Sequence, residues 1–252
     1  MHKKIFSFIV LLSLIFAANC TQAQTKKKAV KKAPIHATKS KLVKKAVVVS
    51  AVDTTAETRV KITTSLGNIV VKLSNKTPKH RDNFIKLVTG HFYDSTLFHR
   101  VINSFMIQGG DPTSKNAAPG IMLGEGGAGY TIPAEFDSTL FHKKGALAAA
   151  RDDNPEKASS GCQFYIVEGK KINDGELDMT EMKNGIKFSP AKRMTYKMNG
   201  GTPFLDTRYT VFGEVESGIE VVEKIALEPV DSNNRPLTDI SMKMEVLKEE
   251  IK

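Results

Sequence analysis

Alternation of apolar and polar positions begins at residue 60. Val60 and Ile62 alternate with Arg59, Lys61 and Thr63, and after Ser65-Leu66-Gly67-Asn68 the pattern resumes at Ile69, Val71 and Leu73. Two period-two runs around a Gly-Asn turn predict a β-hairpin. Thr77-Pro78 then supplies an N-cap and a first-turn proline. Phe84, Leu87 and Val88 follow at helical spacing, and Gly90 can take a left-handed C-cap. Short apolar runs at 97–102, 105–108, 145–150, 163–167 and 210–215 read as further strands. A second helix is predicted from Ser217, with Glu220 completing a capping box, Ile219, Val222, Ile225 and Ala226 as its apolar face, and Pro229 beyond its end. The last strand puts Ile240, Met242, Met244 and Val246 on one face. Many short strands, two helices and no regular strand–helix alternation point to a mainly β fold, an antiparallel barrel or sandwich with helical caps. Residues 168–202 fit no strand pattern and read as an inserted segment with one short helix around 180–194.

The N-terminal quarter follows different rules. Lys3 and Lys4 precede an apolar run over 5–18, too short to span a bilayer as a mature helix. A charged start, a short apolar stretch and small residues after it describe a secretory signal peptide, 1–23, cleaved after Ala23. Lipoprotein processing at Cys20 is the alternative, but Ala17 and Asn19 stand where such proteins usually carry Leu and a small residue. Residues 24–57 hold nine lysines between Lys26 and Lys45 with no acid among them and no aromatic residue anywhere in the stretch. Like charges repel and little apolar surface offsets chain entropy, so this stretch reads as a disordered Lys-rich linker.

Charge sharpens that division. The net charge is +10, but 11 lysines against Asp53 and Glu57 fall within the first 57 residues, leaving 26 of the 37 basic and 25 of the 27 acidic residues for the remainder. The body is close to neutral. The basic run lacks the interleaved aromatics of a single-strand binder, and an export signal argues against a nucleic-acid partner. A solvated tether in peripheral contact with anionic envelope lipids is expected instead. Cys20 and Cys162 are the two cysteines, which excludes a disulfide scaffold, and a monomer exported to the periplasm or cell envelope is expected.

Several apparent chemical motifs dissolve on inspection. The run 124–129 matches G-x-G-x-x-G, but Tyr130-Thr131-Ile132-Pro133 follows it, where a phosphate cradle needs a helix start. The six histidines show no ligand spacing, no Cys pair supports zinc, and no Ser lies in a nucleophile elbow, so neither a metal nor a cofactor is expected. Cys162 has no protease signature around it and reads as a buried structural thiol. What stands out is the run Phe98-His99-Arg100-Val101-Ile102-Asn103-Ser104-Phe105-Met106-Ile107-Gln108-Gly109-Gly110-Asp111. As a strand pair it could aim Arg100, Phe105, Met106 and Gln108 at one open surface, although spacing alone favours Phe105 and Met106 as ordinary core and leaves a surface ion pair open for Arg100.

This run, with Gly161-Cys162-Gln163-Phe164-Tyr165-Ile166 and Phe204-Leu205-Asp206 before Tyr209-Thr210-Val211-Phe212-Gly213, resembles the cyclophilin-type peptidyl-prolyl isomerases. The resemblance covers about Thr58 to Glu250, nearly all of the 58–252 domain, with a longer segment than usual after Val167. It implies a closed eight-stranded antiparallel β-barrel capped by two α-helices, and an enzyme that speeds rotation about X–Pro bonds in folding polypeptides. It further implies Arg100 and Gln108 as catalytic residues, with Phe105, Met106, Ala150, Arg151, Gln163, Tyr165, Phe204, Leu205 and Tyr209 binding the proline-containing client. Phe204 stands where animal members often carry Trp, Tyr165 where Phe is usual, and Tyr209 where His is frequent. Reduced but real turnover with apolar residues before proline is therefore expected. A proline-peptide holdase with incidental isomerisation is the alternative of a different class, though binding alone would not require Arg100.

Overall fold

The computed structural model describes residues 57–248; the expectations for 1–23, Cys20 and most of 24–57 lie outside them. Strands β1 (Arg59–Thr64) and β2 (Gly67–Leu73) form the expected hairpin, followed by α1 (Pro78–Thr89), β3 (Phe98–Ile102) and β4 (Met106–Gly109). A short β5 (Thr131–Ile132) precedes β6 (Ala146–Ala149), β7 (Ser159–Ser160) and β8 (Phe164–Val167). Helices α2 (Asp174–Asn184) and α3 (Pro190–Asn199) come next, then β9 (Val211–Ser217), α4 (Ile219–Ala226) and β10 (Lys243–Val246).

Eight strands form one antiparallel sheet in the order β10-β1-β2-β9-β6-β8-β4-β3, while β5 and β7 pair separately. The sheet curls strongly into a half-barrel. Its edge strands meet through the Leu97↔Ser241 bridge and bonds such as Phe98 N–H to Ile240 O rather than through a full ladder, so closure is looser than the family resemblance implies. Val60, Ile62, Ile69, Val71 and Leu73 are fully buried inside the curl, and α1 and α4 add Phe84, Leu87, Val88, Val222 and Ile225 to the same core. Period-two geometry sends alternate residues to the other face. Phe164 and Ile166 of β8 point into this core, whereas Tyr165 and Val167 join a second, outer cluster with Met106, Ala148 and Leu205.

Three local expectations are corrected. Thr77 begins α1 but its side chain caps nothing, and its hydroxyl is buried without a partner. The carboxylate of Glu135 takes that role, accepting from the backbone N–H groups of Lys79 at 3.1 Å and His80 at 3.0 Å. Gly90 lies at φ −81°, and His91 adopts the left-handed turn instead. Helix α4 starts at Gly218, with Ser217 still in β9. Gly218 sits at φ +88°, and a Cβ there would come within 2.3 Å of Asn68 O, so backbone geometry rather than a capping box begins this helix.

The insert holds two helices where one was expected. Asn173 and Glu176 form a reciprocal capping box on α2, Gly185 ends it in the left-handed region, and the Ser189 side chain caps α3 ahead of Pro190. Ile172, Leu177, Phe188 and Tyr196 make its small core.

Candidate active site

The site is built on the outer face of β3, β4, β6 and β8. A register shift between Phe98 and Arg100 leaves His99 as the extra residue of a β-bulge, since Phe98 pairs with Gly109 and Arg100 with Gln108. Strict alternation would put Phe98 and Arg100 on one face. The bulge lets Phe98 and Val101 both enter the inner core while Arg100 turns outward beside Gln108.

Arg100, Phe105, Met106, Gln108, Ala150, Arg151, Tyr165, Leu205 and Tyr209 line one cavity of about 150 Å³. Phe204 stands at its rim, 48% exposed, with its ring stacked on Phe105 at 5.7 Å between centroids. Gln163 lies one step away, in a neighbouring hollow of about 480 Å³ that also touches Gln108, Ala150 and Arg151.

Hydrogen bonds order the polar side of the cavity. Gln163 Nε2 donates to the carbonyls of Gly124 and Gly126, each at 2.7 Å, which commits both of its N–H groups. Its Oε1 accepts from Gln108 Nε2 at 3.0 Å, and Gln108 Oε1 accepts from Arg100 Nη1 at 3.2 Å. The glycine-rich loop thus orients Gln163, Gln163 orients Gln108, and Gln108 steadies the guanidinium. One Gln108 N–H remains outside this chain of bonds. Arg100 Nη1 also lies 4.0 Å from Met106 Sδ, so these partners are neutral and leave the charge unquenched. Burial pulls the Arg100 pKa below the ordinary arginine value, opposed by Tyr209; the group stays cationic across physiological pH.

On the opposite wall, Arg151 packs over the Tyr209 ring at 4.9 Å and donates to the carbonyls of Arg208 and Asp152. The Ala150 N–H is spent on Gln163 O, and its carbonyl accepts from Ser160 N–H, so Ala150 lends the cavity shape rather than a backbone donor. Tyr165 hydroxyl bonds His142 Nε2 at 2.9 Å, away from the cavity. His142 and Asp206, which the sequence patterns did not single out, stand behind this wall.

Two other clusters invite chemical readings. His80 bonds Glu135 through Nδ1 at 2.7 Å and Ser159 Oγ through Nε2 at 3.0 Å, the connectivity of a Ser–His–acid triad. Ser159 is 0% exposed, so no acyl group reaches it and the cluster is structural. Burial lowers the His80 pKa against the opposing pull of Glu135. Cys162 is buried too, and burial pushes its thiol upward. Among the described residues no group of three or more His, Cys, Asp or Glu is placed to hold a metal ion.

Comparison with known proteins agrees with this geometry. The family described as cyclophilin type peptidyl-prolyl cis-trans isomerase/CLD matches residues 59–246. A Staphylococcus haemolyticus protein assigned as a peptidyl-prolyl cis-trans isomerase is 35% identical over 185 residues, covering 73% of this chain and 88% of that protein. A Staphylococcus aureus counterpart is 37% identical over the same shares. The crystal structure of a Cryptosporidium parvum cyclophilin-type isomerase superposes with a TM-score of 0.56 at 23% identity, covering 77% of this chain and 99% of that one. The same protein solved in the presence of the dipeptide Ala-Pro gives 0.55. With the matched sequence spanning the whole curled sheet and both capping helices, this chain belongs to the cyclophilin-type peptidyl-prolyl cis-trans isomerases.

Proposed function

We propose that the outer-face cavity binds the proline ring of a client and that Arg100 catalyses rotation of the preceding amide. Partial double-bond character sets the barrier at ~18–20 kcal/mol. Raising a spontaneous rate of roughly 0.01 per second to on the order of 1000 per second requires lowering it by about 7 kcal/mol. No bond is made or broken, so the protein must bind the twisted amide more tightly than either planar isomer. When the amide twists, the proline nitrogen regains a lone pair and becomes an acceptor. A cationic donor at the cavity edge then interacts mainly with the transition state. Phe105, Met106, Leu205 and the Tyr165 ring supply an apolar grip that is equal in ground and transition states, and the spare Gln108 N–H suits a client carbonyl.

The carrying observation is that Arg100 lies on the wall of a cavity of about 150 Å³ whose apolar side is made by Phe105, Met106, Leu205 and the Tyr165 ring, with only neutral hydrogen-bond partners at its guanidinium Nη1. Arg100→Ala should lose most turnover, roughly 100-fold or more, in a protease-coupled proline-peptide assay, because a charge-assisted transition-state donor is worth a few kcal/mol. Circular dichroism should show it folded. Undiminished turnover would remove Arg100 from the mechanism.

Proline-containing polypeptides of the cell envelope are the proposed clients, on the strength of the signal-like 1–23 and the acid-poor tether after it. The intact mass of the mature protein tests this: a terminus at Gln24 fits a soluble exported enzyme, an acylated Cys20 fits a lipid anchor, and a retained 1–23 overturns export.

A further inference from the structure

Four buried side chains run from the insert to the floor of the cavity. Tyr196, on α3, donates its hydroxyl to Asp206 Oδ2 at 2.8 Å. Asp206 Oδ1 accepts from the His142 backbone N–H at 2.9 Å and from its ring at Nδ1, 2.8 Å away. Because Nδ1 carries the proton toward a carboxylate, Nε2 is left as an acceptor, and the Tyr165 hydroxyl donates to it at 2.9 Å. Every donor in the chain therefore points toward Asp206, and no proton is contested. Burial keeps both tyrosine hydroxyls protonated, Tyr196 with the added repulsion of Asp206 and Tyr165 with that of Tyr209 and Asp206.

This arrangement grips the cavity in two places. Tyr165 is held by its hydroxyl, so that the client meets only its ring. Leu205, another lining residue, is the chain neighbour of Asp206. His142 is 1% exposed and Asp206 5% exposed, although both border a hollow of about 240 Å³, so the loss of one partner disturbs a largely buried polar network. We propose that His142 and the insert residue Tyr196 are positioning residues for the isomerase site, holding the Tyr165 hydroxyl out of the proline cavity through Asp206.

The inference rests on the isomerase reading above and assigns the insert a part in it. Loss of this tether alters the ring grip, which ground and transition states share, so it should raise KM more than it lowers kcat. In a glutamine at 142 the amide oxygen occupies the place of Nε2, while an asparagine mimics only Nδ1. His142→Asn should therefore raise KM roughly tenfold with kcat changed less than about threefold, and His142→Gln should recover most of that loss. The Asn effect should largely vanish when made on top of Tyr165→Phe, which lacks the hydroxyl to be held. Tyr196→Phe, a single-atom change far from the client, should raise KM roughly threefold in the parent protein and not on top of Tyr165→Phe. It serves as the test should the His142 variants fail to fold by circular dichroism. Equal effects of Asn and Gln, or a Tyr196→Phe effect undiminished on top of Tyr165→Phe, overturn this inference alone. A parent protein without turnover overturns it together with the isomerase reading.

Discussion

His99 shows how a single residue can serve geometry at a cost to chemistry. As the extra residue of the β3 bulge it frees Arg100 to face the outer cavity, yet its own ring is 2% exposed and neither nitrogen has a hydrogen-bond partner of ordinary geometry. Burial lowers its pKa to about 4, against the opposing pull of Asp111. The unfolded chain takes up that proton near pH 6.5. A lowered folded pKa means that the unfolded state binds the proton first as pH falls. The His99 contribution is then complete above about pH 6.5 and is lost progressively toward pH 4, on the order of 3 kcal/mol in all. His80, also lowered by burial, acts in the same direction. Urea titrations should show stability falling steeply between pH 6.5 and 4, and His99→Gln should flatten that slope. A flat profile in the parent protein would contradict the assignment. Sequence alone gave no access to this, because Phe98-His99-Arg100-Val101-Ile102 reads as an ordinary strand and a bulge leaves no period of its own.

Among the elements, helix α1 illustrates the same limit. Local signals, Thr77 and Pro78, predict its start correctly to the residue but name the wrong cap, since the capping carboxylate of Glu135 arrives from more than fifty positions downstream. That carboxylate also holds His80; burial pushes its pKa up, and the bonds from His80 and Lys79 more than offset the push, leaving it below the usual range. Glu135→Ala removes a cap and leaves the buried Nδ1 of His80 without its partner at once, which should cost about 2 kcal/mol and lower Tm by roughly 4–8 °C, read by circular dichroism. Thr77→Val, by contrast, should leave Tm nearly unchanged. In the insert the legible signals were present: Asn173 with Glu176, Gly185, and Ser189 before Pro190 are start and stop marks for two helices. They are masked by exposed Met179, Met182, Met194 and Met198, which blur the apolar stripe on which a helical period depends.

Across the whole molecule, the hairpin follows from alternation, and the runs 98–111, 161–166 and 204–213 contain Arg100, Phe105, Met106, Gln108, Tyr165, Leu205 and Tyr209 of the cavity lining, whereas Ala150 and Arg151 lie outside them and the strand order around β8 has no local signal. The His142–Asp206 contact and the Gln163 bonds to Gly124 and Gly126 join positions dozens of residues apart and emerge only once the sheet has curled. The curl also divides labour along each strand. In β8, Phe164 and Ile166 face the interior, and Tyr165 lines the outer cavity. On the proposed isomerase reading, substitutions at the cavity-lining outward positions would retune which polypeptides are accepted while the inward set goes on excluding solvent, so that selectivity and the main core are served by alternate residues of the same segment.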